Sequence, residues 1–334
     1  MKQAAVLGGG SWGTALSVHL AELGHPVRLW ARDPALAREM HARRANPVYL
    51  SDVRFPDDLQ PTASLDEALT GAELLVVAIP THGVADVMRA AAPRLPRGMT
   101  VVSATKGIDV ESLMRVSELL DRELQHACPI VVLSGPSFAV ELAHHLPTAV
   151  CVASHDSLAV ERVQSEFRSH YLRLYATDDV VGVEVGGALK NVIAIAAGVV
   201  EGLGLGHNAL AALITRGLAE IGRLATALGA RRETLAGLAG LGDLVLTCTG
   251  AHSRNRHVGI ELARGRSLPA IIGGMKMVAE GVRTTEAALA LGERAGIELP
   301  ITTQMARVLS GRRSARDALG ELMVRPQRAE PEPG

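Results

Sequence analysis

A lysine set on an apolar helix is the residue whose type and placement first promise chemistry. In Glu184-Val185-Gly186-Gly187-Ala188-Leu189-Lys190-Asn191, two glycines precede Lys190 by four and three positions, which puts them on its face of a helix. A glycine inside a helix costs about 1 kcal/mol relative to alanine, so the pair needs a compensating reason. The expectation is that Gly186 and Gly187 clear a path for Lys190 and a ligand. Burial lowers an ammonium pKa into the range useful for proton transfer, which makes Lys190 a candidate general acid and base. The alternative is a lysine that snorkels at a helix end.

Other polar groups fall where ligands gather. Lys106, in Ser103-Ala104-Thr105-Lys106-Gly107, stands just beyond the carboxyl end of an apolar run, and Ser134-Gly135-Pro136-Ser137-Phe138 follows another. Gly240-Leu241-Gly242-Asp243 reads as a glycine-bounded turn that presents a carboxylate. Ser253-Arg254-Asn255 precedes a helical pattern, so Ser253 is either an N-cap or, with Arg254 and Asn255, part of a phosphate site at a helix start. The histidines, His144-His145 and His252 with His257 included, make no metal-ligand spacing, and no metal is expected.

A second constellation opens the chain. Gly8-Gly9-Gly10-Ser11-Trp12-Gly13 follows the apolar run Ala4 to Leu7 and leads into a helical pattern. Gly8 would turn the chain off the strand, Gly10 would let backbone approach a pyrophosphate, and Gly13 would let helix pack on strand. Free N–H groups at that helix start would hold the phosphates. After the second strand the order is Trp30-Ala31-Arg32-Asp33, where Arg32 suits the 2′-phosphate of NADP. Asp33 either caps the next helix or tolerates NAD, so NADP is favoured with NAD also in play. Trp12, Trp30 and Phe138 are expected to face the cofactor crevice, with ordinary core filling as the alternative; Tyr49 either covers the adenine or is a surface tyrosine.

The elements that must position these groups change character along the chain. Ala4 to Leu7, Val27 to Trp30, Leu74 to Ile79, Thr100 to Ser103, Ile130 to Leu133 and Ala149 to Ala153 read as strands. Thr14 to Leu23, Pro34 to Arg44 and Glu111 to Leu124 read as helices between them. The alternation predicts an α/β fold: a doubly wound, mainly parallel Rossmann-type sheet over residues 1–178. Thr177-Asp178-Asp179 is the junction. Residues 179–324 then form an all-helical domain, with helices through Val180 to Val200, Ala209 to Leu228, Arg256 to Ala263 and Thr284 to Glu293, and the Pro- and Glu-rich stretch from Arg325 to Gly334 reads as a disordered tail.

Bulk properties narrow the class of protein. A net charge of −1 over 334 residues supplies no basic field for nucleic acid. The unpaired cysteines Cys128, Cys151 and Cys248 point to reduced thiols and a cytoplasmic location. The apolar run Val192 to Val200 is too short to span a bilayer, and the N-terminal glycines and Glu22 argue against a signal peptide. A homodimer is the base-rate expectation.

Taken together, Gly8 to Leu16, Val102 to Ile108, Ser134 to Ala139, Glu184 to Gly198, Gly237 to Gly250, Ser253 to Arg256 and Glu280 to Thr284 resemble the bacterial NAD(P)-dependent glycerol-3-phosphate dehydrogenases. The resemblance implies interconversion of dihydroxyacetone phosphate and sn-glycerol 3-phosphate, which supplies phospholipid synthesis. It implies Lys190 as the catalytic residue. Substrate contacts would fall on Lys106, Gly135, Ser137, Lys190, Asp243, Ser253, Arg254 and Asn255. Cofactor contacts would fall on Ser11, Trp12, Arg32, Tyr49, Lys106, Ala139, Arg254, Val278 and Glu280, beside Gly8, Gly10 and Gly13. Asp33 departs from the polar or basic group that the family often places there. Rival readings are a β-hydroxyacid or 6-phosphogluconate type dehydrogenase, which typically places Asn a turn after the lysine, and a non-catalytic NADPH sensor.

Overall fold

Four residues without exposed surface, Ala4–Leu7, form β1 and explain why this run is apolar at every position: a strand in the middle of a parallel sheet is covered on both faces. The computed structural model describes residues 2–275 and 278–326. After β1 come α1 (Ser11–Glu22), β2 (Val27–Trp30), α2 (Pro34–Arg43), the short hairpin β3 (Ala45–Asn46) and β4 (Leu50–Arg54), β5 (Leu59–Thr62) and α3 (Leu65–Leu69). Then follow β6 (Leu74–Val77), α4 (Val84–Ala91), β7 (Thr100–Ser103), α5 (Val116–Glu123), β8 (Ile130–Ser134), α6 (Ala139–Ala143), β9 (Thr148–Ala153), α7 (Ser157–Phe167) and β10 (Leu172–Thr177).

The sheet runs β10-β9-β8-β7-β6-β1-β2-β5. β1 pairs in parallel with both β2 and β6, with Leu7 opposite Trp30 on one side and Val77 on the other. The chain therefore winds in both directions from β1, and the carboxyl ends of β1 and β6 flank a topological switch point, where open α/β sheets bind ligands. β9 runs antiparallel to β8, so the expected mainly parallel sheet carries a reversed pair, β9 and β10, at one edge. The two strands of this sheet absent from the sequence reading are both at its edges, and the separate β3–β4 hairpin is absent from it as well. Pro61 lies inside β5, a residue that only an edge strand tolerates, and β10 alternates buried Leu172 and Leu174 with exposed Arg173 and Tyr175.

The sheet ends at Thr177 and the helices begin at once. Asp179 caps α8 (Val180–Gly202), its Oδ1 accepting the Gly182 N–H at 2.8 Å and its Oδ2 the Arg231 N–H at 2.9 Å. The remaining elements are α9 (Gly206–Ala227), α10 (Arg232–Ala236), α11 (Asp243–Thr249), α12 (Arg254–Ala263), α13 (Leu268–Gly273), α14 (Glu280–Ala295), α15 (Pro300–Leu309) and α16 (Ala315–Met323). Residues 327–334 of the expected tail lie outside the described residues, whereas Arg325 pairs with Glu298 at 3.0 Å.

Helix α8 is the axis of this half. By length and composition it could cross a membrane, yet 94% of its apolar window is buried inside the protein, so the apolar run read as Val192 to Val200 is part of a 23-residue core helix. Helix α12 crosses α8 at backbone distance. A Cβ on Gly198 would stand 1.9 Å from the Arg256 carbonyl oxygen, and one on Gly259 equally close to that of Ile195. That approach sets the start of α12 beside the middle of α8.

Candidate active site

Lys190 is buried, and its ammonium donates to two groups of α11: a close contact with Asp243 Oδ1, and Thr247 Oγ1 at 2.9 Å. Lys106, from the loop after β7, reaches the other oxygen of the same carboxylate at 2.7 Å and donates to the Gly135 carbonyl at 2.9 Å. That carbonyl also accepts the Ser137 hydroxyl at 3.0 Å. Lys106, Gly135, Ser137, Lys190 and Asp243 thus converge, with two ammonium groups sharing one carboxylate. Asp243 has no exposed surface, so water cannot screen the arrangement. Burial is the main force on Lys190 and the neighbouring charge of Lys106 works in the same direction. Together they outweigh Asp243 and bring its pKa down to about 7.

The local backbone explains how Asp243 gets there, and it corrects two expectations. The carboxylate does not ride on a turn: Leu238–Gly242 forms a π-helical segment, closed by Gly242 N–H to Gly237 at 3.1 Å, which runs straight into α11 with Asp243 as its first residue. Because Asp243 opens a helix, Thr247 stacks one turn above it and joins the lysine contact. Reading a turn here hides Thr247; reading a helix start would have revealed it. The glycines of α8 clear room for protein rather than for a ligand. A Cβ on Gly186 would lie 2.9 Å from the Ala239 carbonyl of the π segment, and one on Gly187 2.6 Å from Ser134 Oγ. They let the Asp243 segment and the end of β8 close on α8 from two sides.

At the start of α12, Ser253 is an N-cap, its Oγ accepting the Arg256 N–H at 3.2 Å. Asn255 ties three helices, donating to Asn191 Oδ1 at 2.9 Å and accepting the Gly281 N–H at 3.0 Å. Arg254 turns the other way, toward the segment before α14, where it donates to the Val278 carbonyl at 2.7 Å and acts electrostatically with Glu280 and Tyr49. Glu280, the first residue of α14, accepts the Thr81 N–H at 3.3 Å, and burial pushes its carboxyl up. Arg254, Val278, Glu280 and Tyr49 therefore form a second group, separate from the lysines.

The glycine turn carries the third group. Gly8 has φ +131°, and a Cβ there would strike the Ala78 carbonyl at 2.4 Å; one on Gly13 would lie 2.0 Å from the Gly8 carbonyl. Around Gly10, by contrast, a Cβ would find nothing within 4 Å, so a ligand has room to approach the backbone there. No side chain caps the N-terminus of α1, and the buried indole Nε1 of Trp12 has no acceptor among the described residues. These features fit a dinucleotide pyrophosphate. Ser11 is the first residue of α1 and Ala139 the first of α6. Arg32 follows β2 and adds positive charge near His82, while Asp33 is committed as the cap of α2, accepting the Ala35 N–H at 2.8 Å. Trp30 does not face the crevice: it sits in the core with Nε1 donating to the Ala63 carbonyl at 3.1 Å.

Comparison with known proteins places this geometry. Residues 3–160 match the model of the NAD-dependent glycerol-3-phosphate dehydrogenase N-terminus and residues 179–320 that of the C-terminus. The chain is 52% identical over 327 residues to a glycerol-3-phosphate dehydrogenase (NAD(P)+) of Nitratidesulfovibrio vulgaris, covering 98% of this chain and 99% of the relative. It is 50% identical over 328 residues to the protein of that name from Citrifermentans bemidjiense, covering 98% of each. A crystal structure of glycerol-3-phosphate dehydrogenase from Coxiella burnetii superposes with a TM-score of 0.94 at 39% identity, covering 97% of this chain and 99% of that one. The chain belongs to the NAD-dependent glycerol-3-phosphate dehydrogenase family.

Proposed function

We propose that this protein interconverts dihydroxyacetone phosphate and sn-glycerol 3-phosphate with NAD(P)H, and that Lys190 moves the proton. The observation that carries the reading is the Lys106–Asp243–Lys190 arrangement, in which burial and the charge of Lys106 bring the Lys190 pKa down to about 7, a range that suits proton transfer in both directions. When bound, the nicotinamide supplies or takes up the hydride at the C2 carbon of the substrate. In reduction, Lys190 as ammonium donates its proton to the developing alkoxide on C2. In oxidation, neutral Lys190 accepts the hydroxyl proton.

Asp243 holds both lysines aimed at one point, and Lys106 is free to turn its third donor towards the substrate oxygen. The start of α12, with Asn255 and the donors of Arg254 not used by Val278, holds the phosphate. Binding energy at the phosphate then aligns C2. Gly8, Gly10 and Gly13 with Ser11 and Trp12 take the pyrophosphate side of the cofactor, and Tyr49, Ala139, Val278 and Glu280 its remaining contacts. Arg32 gives a preference for NADPH, supported by the commitment of the Asp33 carboxylate to capping α2.

The division falls between Asp178 and Asp179, with residues 1–178 binding the cofactor and 179–324 the substrate. The protein is a cytoplasmic homodimer that supplies glycerol phosphate for phospholipid synthesis. The deciding experiment is oxidation of NADPH and NADH in the presence of dihydroxyacetone phosphate. Turnover is expected with both and faster with NADPH; no turnover with either refutes the reading.

A further inference from the structure

A second buried ion pair lies on the same helix as Lys190, six residues earlier, and the proton transfer just described makes no use of it. The Glu184 carboxylate, its side chain 3% exposed, accepts Arg115 Nη1 at 2.6 Å, the Ser117 N–H at 2.7 Å and the Ser117 hydroxyl at 2.6 Å. Arg115 and Ser117 belong to the opposite half of the molecule: Arg115 caps α5, where its own N–H bonds Glu118 at 2.8 Å, and Ser117 is in the first turn. A carboxylate buried across two halves of a protein is costly, and although Arg115 and Ser117 partner this one, burial still pushes its pKa up.

What Arg115 holds at its other end makes the pair consequential. Its backbone forms an antiparallel bridge with Ile108, and within the loop so closed Asp109 N–H bonds Met114 at 3.0 Å and Leu113 N–H bonds Asp109 at 2.9 Å. Ile108 is buried among the side chains of α8 and stands two residues after Lys106. The segment from Ile108 to Ser117 is therefore cross-linked within itself and tied to α8 at Glu184, and the strand-to-loop passage that presents Lys106 runs directly into it.

We infer that Glu184 and Arg115 are positioning residues: by clasping the Lys106 loop to α8 they fix Lys106 against Asp243 and Lys190. The inference rests on Lys190 being the proton-transfer group. The ionisable groups facing Lys190 are Asp243 and Cys248 from α11 and Lys106 from the loop after β7, and burial keeps the Cys248 thiol neutral. Of the two charged neighbours, only Lys106 opposes the ammonium. If the clasp loosens and Lys106 withdraws, Asp243 is left to Lys190 alone and the pKa of Lys190 rises.

The test is the pH dependence of glycerol 3-phosphate oxidation, which needs neutral Lys190 and so fails on the acid side, measured for the wild type, Glu184→Gln and Arg115→Lys. Glu184→Gln keeps the shape and removes the charge; Arg115→Lys keeps the charge and removes the fork. Both variants should lower kcat, Glu184→Gln by about tenfold, a loss within reach of misplacement of the reacting groups. Both should also move the acid limb upward by about half a pH unit or more, with Arg115→Lys the milder. A clasp that served stability alone would lower the melting temperature and leave the limb where it was.

An unmoved limb in both variants overturns the inference. Should Glu184→Gln fail to fold, Arg115→Lys decides alone. A wild-type profile without a limb near pH 7 instead refutes the role of Lys190, and the clasp inference with it, so the two failures are distinct.

Discussion

On the proposed reading, the working atoms at the Gly8 to Gly13 turn are backbone N–H groups, and the residues that matter are those without side chains. Around Lys190 the working atoms sit at the tips of long side chains, and Lys106 meets Asp243 across 137 positions of sequence. The first region is made by exclusion: a Cβ on Gly8 or Gly13 would collide with carbonyl oxygens, while Gly10 is open. The second is made by assembly, with π-helical Leu238–Gly242 delivering Asp243, the close crossing of α8 and α12 placing Asn191 by Asn255, and the loop after β7 bringing Lys106. On the same reading, a local backbone device binds the cofactor, while a charge cluster drawn from distant segments performs the step that distinguishes one reaction from another.

The contrast is tested most severely at its most connected side chain. Asp243→Asn leaves the buried Lys190 and the part-buried Lys106 around a neutral amide, and breaking a buried pair in this way costs about 3–5 kcal/mol. Thermal unfolding should register the loss, and kcat should fall more than for any other single change in the cluster. The pH profile of oxidation should also move down, because Asp243 is the group that raises the pKa of Lys190. That shift is opposite in sign to the one expected of Glu184→Gln. Lys190→Ala comes next: kcat should drop about 10²- to 10⁴-fold, the range for a general acid and base, with NADPH affinity by fluorescence titration unchanged. A comparable loss of NADPH affinity would mean that the two regions are not separable.

How much of each region can be read from sequence follows the same division. The glycine turn is contiguous and its spacing carries its own mechanics, so strand, turn, helix and the open position at Gly10 were legible together. Lys190, Lys106 and Asp243 were each legible as residues out of place, a lysine on an apolar helix and polar groups at strand or glycine boundaries. Their convergence followed only from the family resemblance, which sets all three around one substrate; the residues alone do not give it, because it depends on how the Leu238–Gly242 segment and the loop after β7 fold back on α8. Thr247 was missed for a related reason. A run of glycines before Asp243 reads as a turn, whereas tertiary packing against Gly186 winds it into a π-helical lead-in to α11. The edge strands β5 and β10 escaped because a proline and an exposed arginine interrupt the apolar pattern, which edge positions permit and central ones do not.

Gly13→Ala probes the first region by the same logic. The added methyl would stand 2.0 Å from the Gly8 carbonyl oxygen with Ala78 beyond it at 3.3 Å, so α1 must shift off β1. Overpacking of this kind costs about 1–3 kcal/mol. The cofactor dissociation constant should rise by a similar free energy, while kcat at saturating cofactor stays near that of the wild type, the reverse of the Lys190→Ala pattern.

The smallest expected effect separates the two cofactors. On the proposed reading, Arg32 at the end of β2 is what favours NADPH over NADH, since Asp33 spends its carboxylate on the Ala35 N–H. Removing a solvent-exposed guanidinium from a phosphate costs a charge-assisted hydrogen bond, about 1.5–3 kcal/mol when well formed. Arg32→Ala should therefore raise the KM for NADPH about tenfold, the low end of that range, and leave the KM for NADH almost unchanged. Raising the ionic strength should narrow the wild-type preference in the same sense, because an exposed ion pair is screened. If Arg32→Ala weakened both cofactors equally, the discrimination would have to come from elsewhere in the crevice, and the glycine turn would no longer be a region whose ligand is chosen by one neighbouring side chain.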